Sequence, residues 1–128
     1  MEAFLDAPES GVAQPITQWL NKVIELQTRK DWPALIEHSR RWTMAQPGSS
    51  MAWYNLGTVY GKAGPFAKTI NAHQQALRID PEYARAWYGL GGAYAGLGQR
   101  GKVLEVYTRL KTLDLALVEE FFTRTVMP

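Results

Sequence analysis

Three tryptophans recur along the chain at a constant interval: Trp19, Trp53 and Trp87 lie 34 residues apart. Pro47 and Pro81 keep the same interval. Self-similarity at a fixed period of this length indicates repeated units that each bury their apolar face against a neighbour. The spacing therefore predicts a solenoid of stacked repeats.

The apolar residues within the units have the spacing of an α-helix. In the second unit they fall at positions i, i+3, i+4 and i+7, and the third unit repeats the pattern. They are Trp53, Leu56, Gly57 and Tyr60, then Trp87, Leu90, Gly91 and Tyr94. Pro33 and Pro65 are placed to open the second helix of a hairpin, where a missing N–H costs nothing. We predict helices over about 15–28, 33–45, 50–62, 65–79, 84–96 and 100–112.

The repeat register stops after Asp114, where Leu115 stands in place of the prolines at 47 and 81. A solenoid end has to be covered, so residues 115–128 are predicted to form a capping helix. Leu117, Val118, Phe121 and Phe122 are expected to pack on the third hairpin, with Glu119, Glu120 and Arg124 facing water. Residues 1–14 show no period and are predicted to be an N-terminal tail, followed by repeats at about 16–49, 50–83 and 84–114.

The repeated signature W-x2-L-G-x2-Y resembles that of the tetratricopeptide repeat family. It occurs from Trp53 to Tyr60 and from Trp87 to Tyr94, whereas the first unit departs from it with Val23 and Leu26 at the small and tyrosine positions. The resemblance covers about residues 16–114. It implies an all-α fold, a right-handed α-solenoid of three helical hairpins, whose concave surface is lined by the first helix of each repeat.

A second stripe of residues lies opposite the tryptophan face of the first helices in the second and third units. A helix with two specified faces can pack with one and bind with the other. The predicted peptide-binding groove consists of Met51, Tyr54, Asn55, Thr58, Lys62, Arg85, Tyr88 and Gly92. Gly89 and Gly92 fall on this face and are expected to leave it shallow and open to a bulky ligand. The alternative is that these glycines arose by neutral drift and have no role in binding, because packing against neighbouring helices keeps the helix folded despite their low helix propensity.

The resemblance also implies a comparison with family members that clamp the C-terminal carboxylate of a chaperone peptide. Asn55 and Arg85 match two of the five clamp positions, while Leu20, Ile24 and Gly89 stand at the others. A full clamp is therefore not expected. Asn55 can instead support packing between adjacent repeats.

The charge of the chain is unevenly distributed although the net charge is only +2. Residues 60–111 carry eight Lys or Arg and three Asp or Glu, so this segment has a charge of +5. The function predicted is a non-catalytic adaptor or scaffold that binds a partner peptide or helix in the groove, and the partner is expected to be acidic. Two alternatives stay open: self-assembly into homo-oligomers through the repeat surfaces, and RNA binding through the basic segment.

No constellation of residues suggests catalysis, a metal or a cofactor. The chain has no cysteine, and neither His38 nor His73 has convergent partners, so each is interpreted as a packing or solvated histidine. The run from Gly96 to Gly101 fits G-x-G-x-x-G, but a helix precedes it where a nucleotide site needs a strand. It is interpreted as a helix-to-helix turn.

The N-terminal residues show no basic start followed by an apolar run, so no secretory signal is expected. The uncharged stretch at residues 86–99 has fourteen residues, fewer than the roughly 20 that a membrane helix needs. A cytoplasmic protein that contacts neither membrane nor nucleic acid is the resulting expectation.

Overall fold

The computed structural model describes residues 15–126, and within that range it consists of helices with no strand. The predicted N-terminal tail, 1–14, lies outside the described residues. Six of the helices pair into hairpins, and each predicted boundary of these six lies within one residue of the observed one. A seventh α-helix follows and ends at Phe121, earlier than the predicted capping helix, 115–128. The helices are α1 (Ile16–Thr28), α2 (Trp32–Ala45), α3 (Ser50–Ala63), α4 (Phe66–Ile79), α5 (Ala84–Gly96), α6 (Arg100–Leu113) and α7 (Leu115–Phe121).

Side-chain caps fix the start of several helices. The Asp31 carboxylate accepts a hydrogen bond from the Ala34 amide, and the Ser49 hydroxyl accepts one from the Ala52 amide. Asp114 does the same for α7 through the Leu117 amide at 2.9 Å. Each cap satisfies an amide that the first turn of a helix leaves unpaired. Gly98, with φ of +74°, makes the turn between α5 and α6, as a helix-to-helix turn requires.

The recurring tryptophans and prolines are joined by a hydrogen bond in each of two repeats. The Trp53 indole donates to the Pro47 carbonyl at 2.9 Å, and the Trp87 indole donates to the Pro81 carbonyl at 2.8 Å. The tryptophan of one helix thus ties down the turn that precedes it. This bond accounts for the constant six-residue offset between the proline and the tryptophan in these two repeats.

The core runs between the stacked helices. Each helix packs against the next along the chain, and α3 also packs against α5. Trp42 is fully buried and stacks on Trp19 with 5.9 Å between ring centroids. Among the described helices, only α2 contacts α1. The close stacking of first helices therefore involves the second and third repeats.

The C-terminal segment caps the third hairpin as a short α-helix followed by a π-helical turn, Phe122–Val126. Leu117, Val118 and Phe121 are buried, as predicted. Phe122 does not share their burial: it is 36% exposed and lies beside the Tyr107 ring. The segment thus packs on the third hairpin through the buried residues of α7, and Phe122 adds a partly exposed contact with Tyr107 of α6.

Within the described residues, every helix is too short or too polar to cross a membrane.

Candidate functional site

A groove of about 420 Å³ lies between α3, α4 and α5, and the C-terminal turn borders it. None of its lining residues comes from the first repeat. They are Tyr54, Gly57, Thr58, Gly61, Lys62, Phe66, Thr69, His73, Arg85, Tyr88, Gly89, Gly92, Ala93 and Arg124.

Six of the eight residues predicted for the groove line it: Tyr54, Thr58, Lys62, Arg85, Tyr88 and Gly92. Met51 and Asn55 do not line it. Met51 is exposed, whereas the Asn55 amide donates to the Ser39 hydroxyl at 2.9 Å. Because Ser39 is fully buried in α2, Asn55 links adjacent repeats, which is the alternative that its sequence position left open.

His73 forms the floor of the groove and separates α3 from α5. Its ring is 1% exposed, which confirms it as a packing residue. A Cβ on Gly57 would lie 2.6 Å from the ring, and one on Gly89 would lie 2.3 Å from it. The expectation that Gly89 leaves open space is therefore wrong, because His73 occupies that space. Gly92 has no atom within 4 Å of such a Cβ and does leave the groove open.

Burial keeps the His73 imidazole neutral. Desolvation lowers the pKa of His73 from 6.5 to about 4. Its Nδ1 has no hydrogen-bond partner within residues 15–126. The floor of the groove is thus polar but uncharged at neutral pH.

The charged residues that line the groove are all cations. Lys62, Arg85 and Arg124 line it, and no carboxylate is among the lining residues. Lys62 and Arg85 are exposed and free to approach a ligand. With this distribution, the groove favours an anionic ligand over a cationic one.

Tyr88 connects the groove to the C-terminal segment. Its hydroxyl donates to the Glu120 carboxylate at 3.0 Å and accepts from the Arg124 guanidinium at 3.2 Å. Arg124 and Glu120 also bond to each other at 3.1 Å. Burial, followed by the bond to Glu120, raises the pKa of Tyr88. Tyr88 is thus half-buried, whereas Glu120 and Arg124 are exposed to water as predicted and in addition bond to the Tyr88 hydroxyl.

Several cations of the basic segment rest on aromatic rings outside the groove. Lys68 lies over the Tyr60 ring, Arg109 over Trp87 and Lys111 over Tyr107, each 5.4–5.8 Å from the ring centroid. Lys68 belongs to α4, whereas Arg109 and Lys111 belong to α6 and lie over different rings. The charge of +5 is therefore dispersed and does not form one basic face.

A protein-family model matches the part of the chain that forms much of the groove. Residues 66–98, which include the groove floor and α5, match the family model described as a TPR repeat. This part of the chain is similar to a tetratricopeptide repeat (TPR). A search of curated protein sequences gave no match.

Solved TPR domains share the fold at low sequence identity. The TPR2B domain of yeast Sti1, in complex with pHsp70, aligns with a TM-score of 0.77 and 17% identity, over 86% of this chain and 94% of that one. The Sgt2 TPR domain of Aspergillus fumigatus aligns at 0.78 and 18%, over 91% and 80%. The first TPR of Spaghetti (RPAP3), bound to the HSP90 peptide SRMEEVD, aligns at 0.77 and 15%, over 86% and 89%. These alignments show an all-α solenoid of TPR hairpins.

Besides His73, sequence reasoning missed Phe66 and Arg124 as residues that shape the groove. Phe66 begins α4 and covers Gly96, where a Cβ would lie 2.4 Å from its ring. Arg124 reaches the groove from outside the repeats. The sequence signal for Phe66 was Gly96 at the end of α5, which sequence analysis assigned to a helix-to-helix turn. No signal pointed to Arg124, because its position depends on how α7 crosses α5.

Proposed function

We propose that this protein is a non-catalytic adaptor that binds an acidic segment of a partner protein in the groove. The observation that carries the proposal is the charge of the groove: the cations Lys62, Arg85 and Arg124 line it, with the Glu120 carboxylate bonded to Arg124 at its edge. Tyr54, Tyr88 and Phe66 add aromatic surface beside the cations. Aromatic contact combined with charge-assisted hydrogen bonds is a common means of holding a peptide.

The TPR domains named above support a peptide ligand, since one of them is bound to SRMEEVD and another is in complex with pHsp70. The contacts proposed for this chain differ from those of a carboxylate clamp. Asn55 bonds to Ser39, which leaves Lys62 and Arg85 to hold the anion. The proposal therefore requires an acidic segment but not a particular terminal sequence.

A peptide is favoured over RNA because the cations outside the groove are dispersed. A phosphate backbone is best held by a continuous basic surface, whereas Lys68, Arg109 and Lys111 rest on separate aromatic rings. Self-assembly is the other alternative. Mass measured by light scattering across protein concentrations distinguishes it, because an adaptor of this kind stays at one mass without its partner.

The test is fluorescence anisotropy with a fluorescein-labelled SRMEEVD peptide, here called the acidic heptapeptide. We expect saturable binding that Lys62→Glu with Arg85→Glu weakens at least about tenfold, equivalent to about 1.4 kcal/mol. The matched control is Arg78→Glu with Lys102→Glu, two exposed cations outside the groove that give the same change in net charge.

Three outcomes would contradict the proposal. The heptapeptide could fail to bind. The double substitution in the groove, Lys62→Glu with Arg85→Glu, could leave the affinity for the peptide unchanged, or the control double substitution could weaken that affinity equally. A melting curve for each variant ensures that a loss of affinity is not a loss of folding.

A further inference from the structure

The cationic side of the groove includes a residue that none of the repeats provides. Arg124 belongs to the π-helical turn that follows α7, yet it lines the groove together with Lys62 and Arg85. Tyr88, which projects from α5, contacts it directly at 3.2 Å. The C-terminal segment thus caps the solenoid and also contributes a guanidinium to the candidate site.

The Arg124 guanidinium already holds a carboxylate from its own chain. Glu120 bonds to it at 3.1 Å and to the Tyr88 hydroxyl at 3.0 Å. A carboxylate beside a guanidinium and a phenol is also the arrangement that a ligand carboxylate would adopt at this point. Glu120 therefore occupies the position that an acidic ligand needs.

This internal ion pair is easily broken. The Arg124 and Glu120 side chains are 67% and 51% exposed, and an ion pair so accessible to water contributes little to stability. By contrast, Phe121, between them in sequence, is fully buried and anchors the segment against Gly91 and Tyr88. Glu120 can thus swing into water while α7 stays in place.

We propose that Arg124 is a ligand-binding residue of the groove and that Glu120 holds its guanidinium until the carboxylate of an acidic partner segment replaces it. This inference rests on the proposed function and adds to it a built-in competitor. A ligand has to compete with Glu120 for the Arg124 guanidinium. A ligand with one weak anionic group does not displace Glu120, whereas a segment with several carboxylates does. The C-terminal segment then helps to select the ligand.

The test uses the acidic heptapeptide and the anisotropy assay described above. Glu120→Gln keeps the shape and the hydrogen bond to Tyr88 but removes the competing charge, so we expect about fivefold tighter binding. Arg124→Gln is expected to weaken binding about fivefold or more. Glu119→Gln is the matched control: it removes an equal charge from the neighbouring exposed residue and should change the affinity less than about twofold.

A double variant separates direct competition from general electrostatics. If Glu120 acts through Arg124, the variant with Glu120→Gln and Arg124→Gln binds as weakly as Arg124→Gln alone, because the two effects are not additive. Equal tightening by Glu119→Gln and Glu120→Gln would overturn the proposal, as would unchanged binding by Arg124→Gln.

The two proposals fail in different ways. If the substitutions of Lys62 and Arg85 weaken binding but the substitutions at 120 and 124 leave it unchanged, the acidic-segment proposal stands and this inference is wrong. If the heptapeptide binds neither the unmodified protein nor Glu120→Gln, both are wrong.

Discussion

Gly89 lies directly against the imidazole of His73, so that a Cβ at position 89 would come 2.3 Å from His73 Nε2. The contact joins α4 of the second repeat to α5 of the third. Gly57 makes a similar contact on the opposite helix, at 2.6 Å. The histidine ring is therefore the spacer that sets the separation of α3 and α5 and hence the floor of the groove.

Two glycines of α5 should respond oppositely to substitution by alanine. Gly92→Ala meets no atom within 4 Å, so the better helix propensity of alanine should raise the free energy of unfolding by up to about 1 kcal/mol. Gly89→Ala must displace the His73 ring and should lower the free energy of unfolding by about 1–2 kcal/mol. Urea denaturation of the two variants checks this. Equal stabilisation by both would mean that His73 moves aside freely.

Stability should fall in mildly acidic solution because of His73. The unfolded imidazole takes up a proton near pH 6.5, whereas the folded one does so only near pH 4. Between these values the unfolded state binds more protons, so stability is fully present above pH 6.5 and is lost as the pH falls toward 4. The depression corresponds to about 3 kcal/mol.

Proton NMR measures this pKa directly, since the chain has two histidines. Burial also lowers the pKa of His38, so His38→Gln serves to assign the signals. The variant His73→Leu should lose most of the decline in stability between pH 6.5 and 4. A His73 signal that titrates near pH 6.5 in the folded protein would contradict the buried, neutral floor.

The cap should depend on one of two adjacent phenylalanines. Phe121 is fully buried against the Tyr88 ring and α5, so Phe121→Ala should cost about 3–5 kcal/mol of unfolding free energy. Phe122 is 36% exposed, and Phe122→Ala should cost less than about 1.5 kcal/mol. Thermal denaturation of both variants gives the comparison. If Phe122→Ala were the more damaging, the register of α7 described above would be wrong.

The fold could be predicted from sequence because its determinants are local. The 3.6-residue spacing placed six helices. The 34-residue interval of tryptophan and proline is the length of one repeat, and the hydrogen bond from Trp53 to Pro47 recurs at that interval from Trp87 to Pro81. Most of the first-helix stripe was also found, since two opposite faces of a helix follow from its period alone.

The rest of the site depends on contacts between residues far apart in sequence. Arg124 and Tyr88 are 36 residues apart, and they meet only because of the angle at which α7 crosses α5. Helical periodicity carries no information on that angle. The role of Gly89 was misread for a related reason: its partner, His73, belongs to the preceding repeat, and the spacing within a repeat does not reveal contacts across a boundary.

The most direct test of the central claim, that the groove binds an acidic segment, is an NMR titration of the isotope-labelled protein with the acidic heptapeptide. Glycine amides serve as reporters, because Gly61, Gly89 and Gly92 line the groove while Gly48 and Gly101 lie outside it. The account predicts saturable shifts at the three groove glycines, with Gly48 and Gly101 unchanged. Shifts confined to Gly48 and Gly101, or none at the groove glycines at saturating peptide, would contradict it.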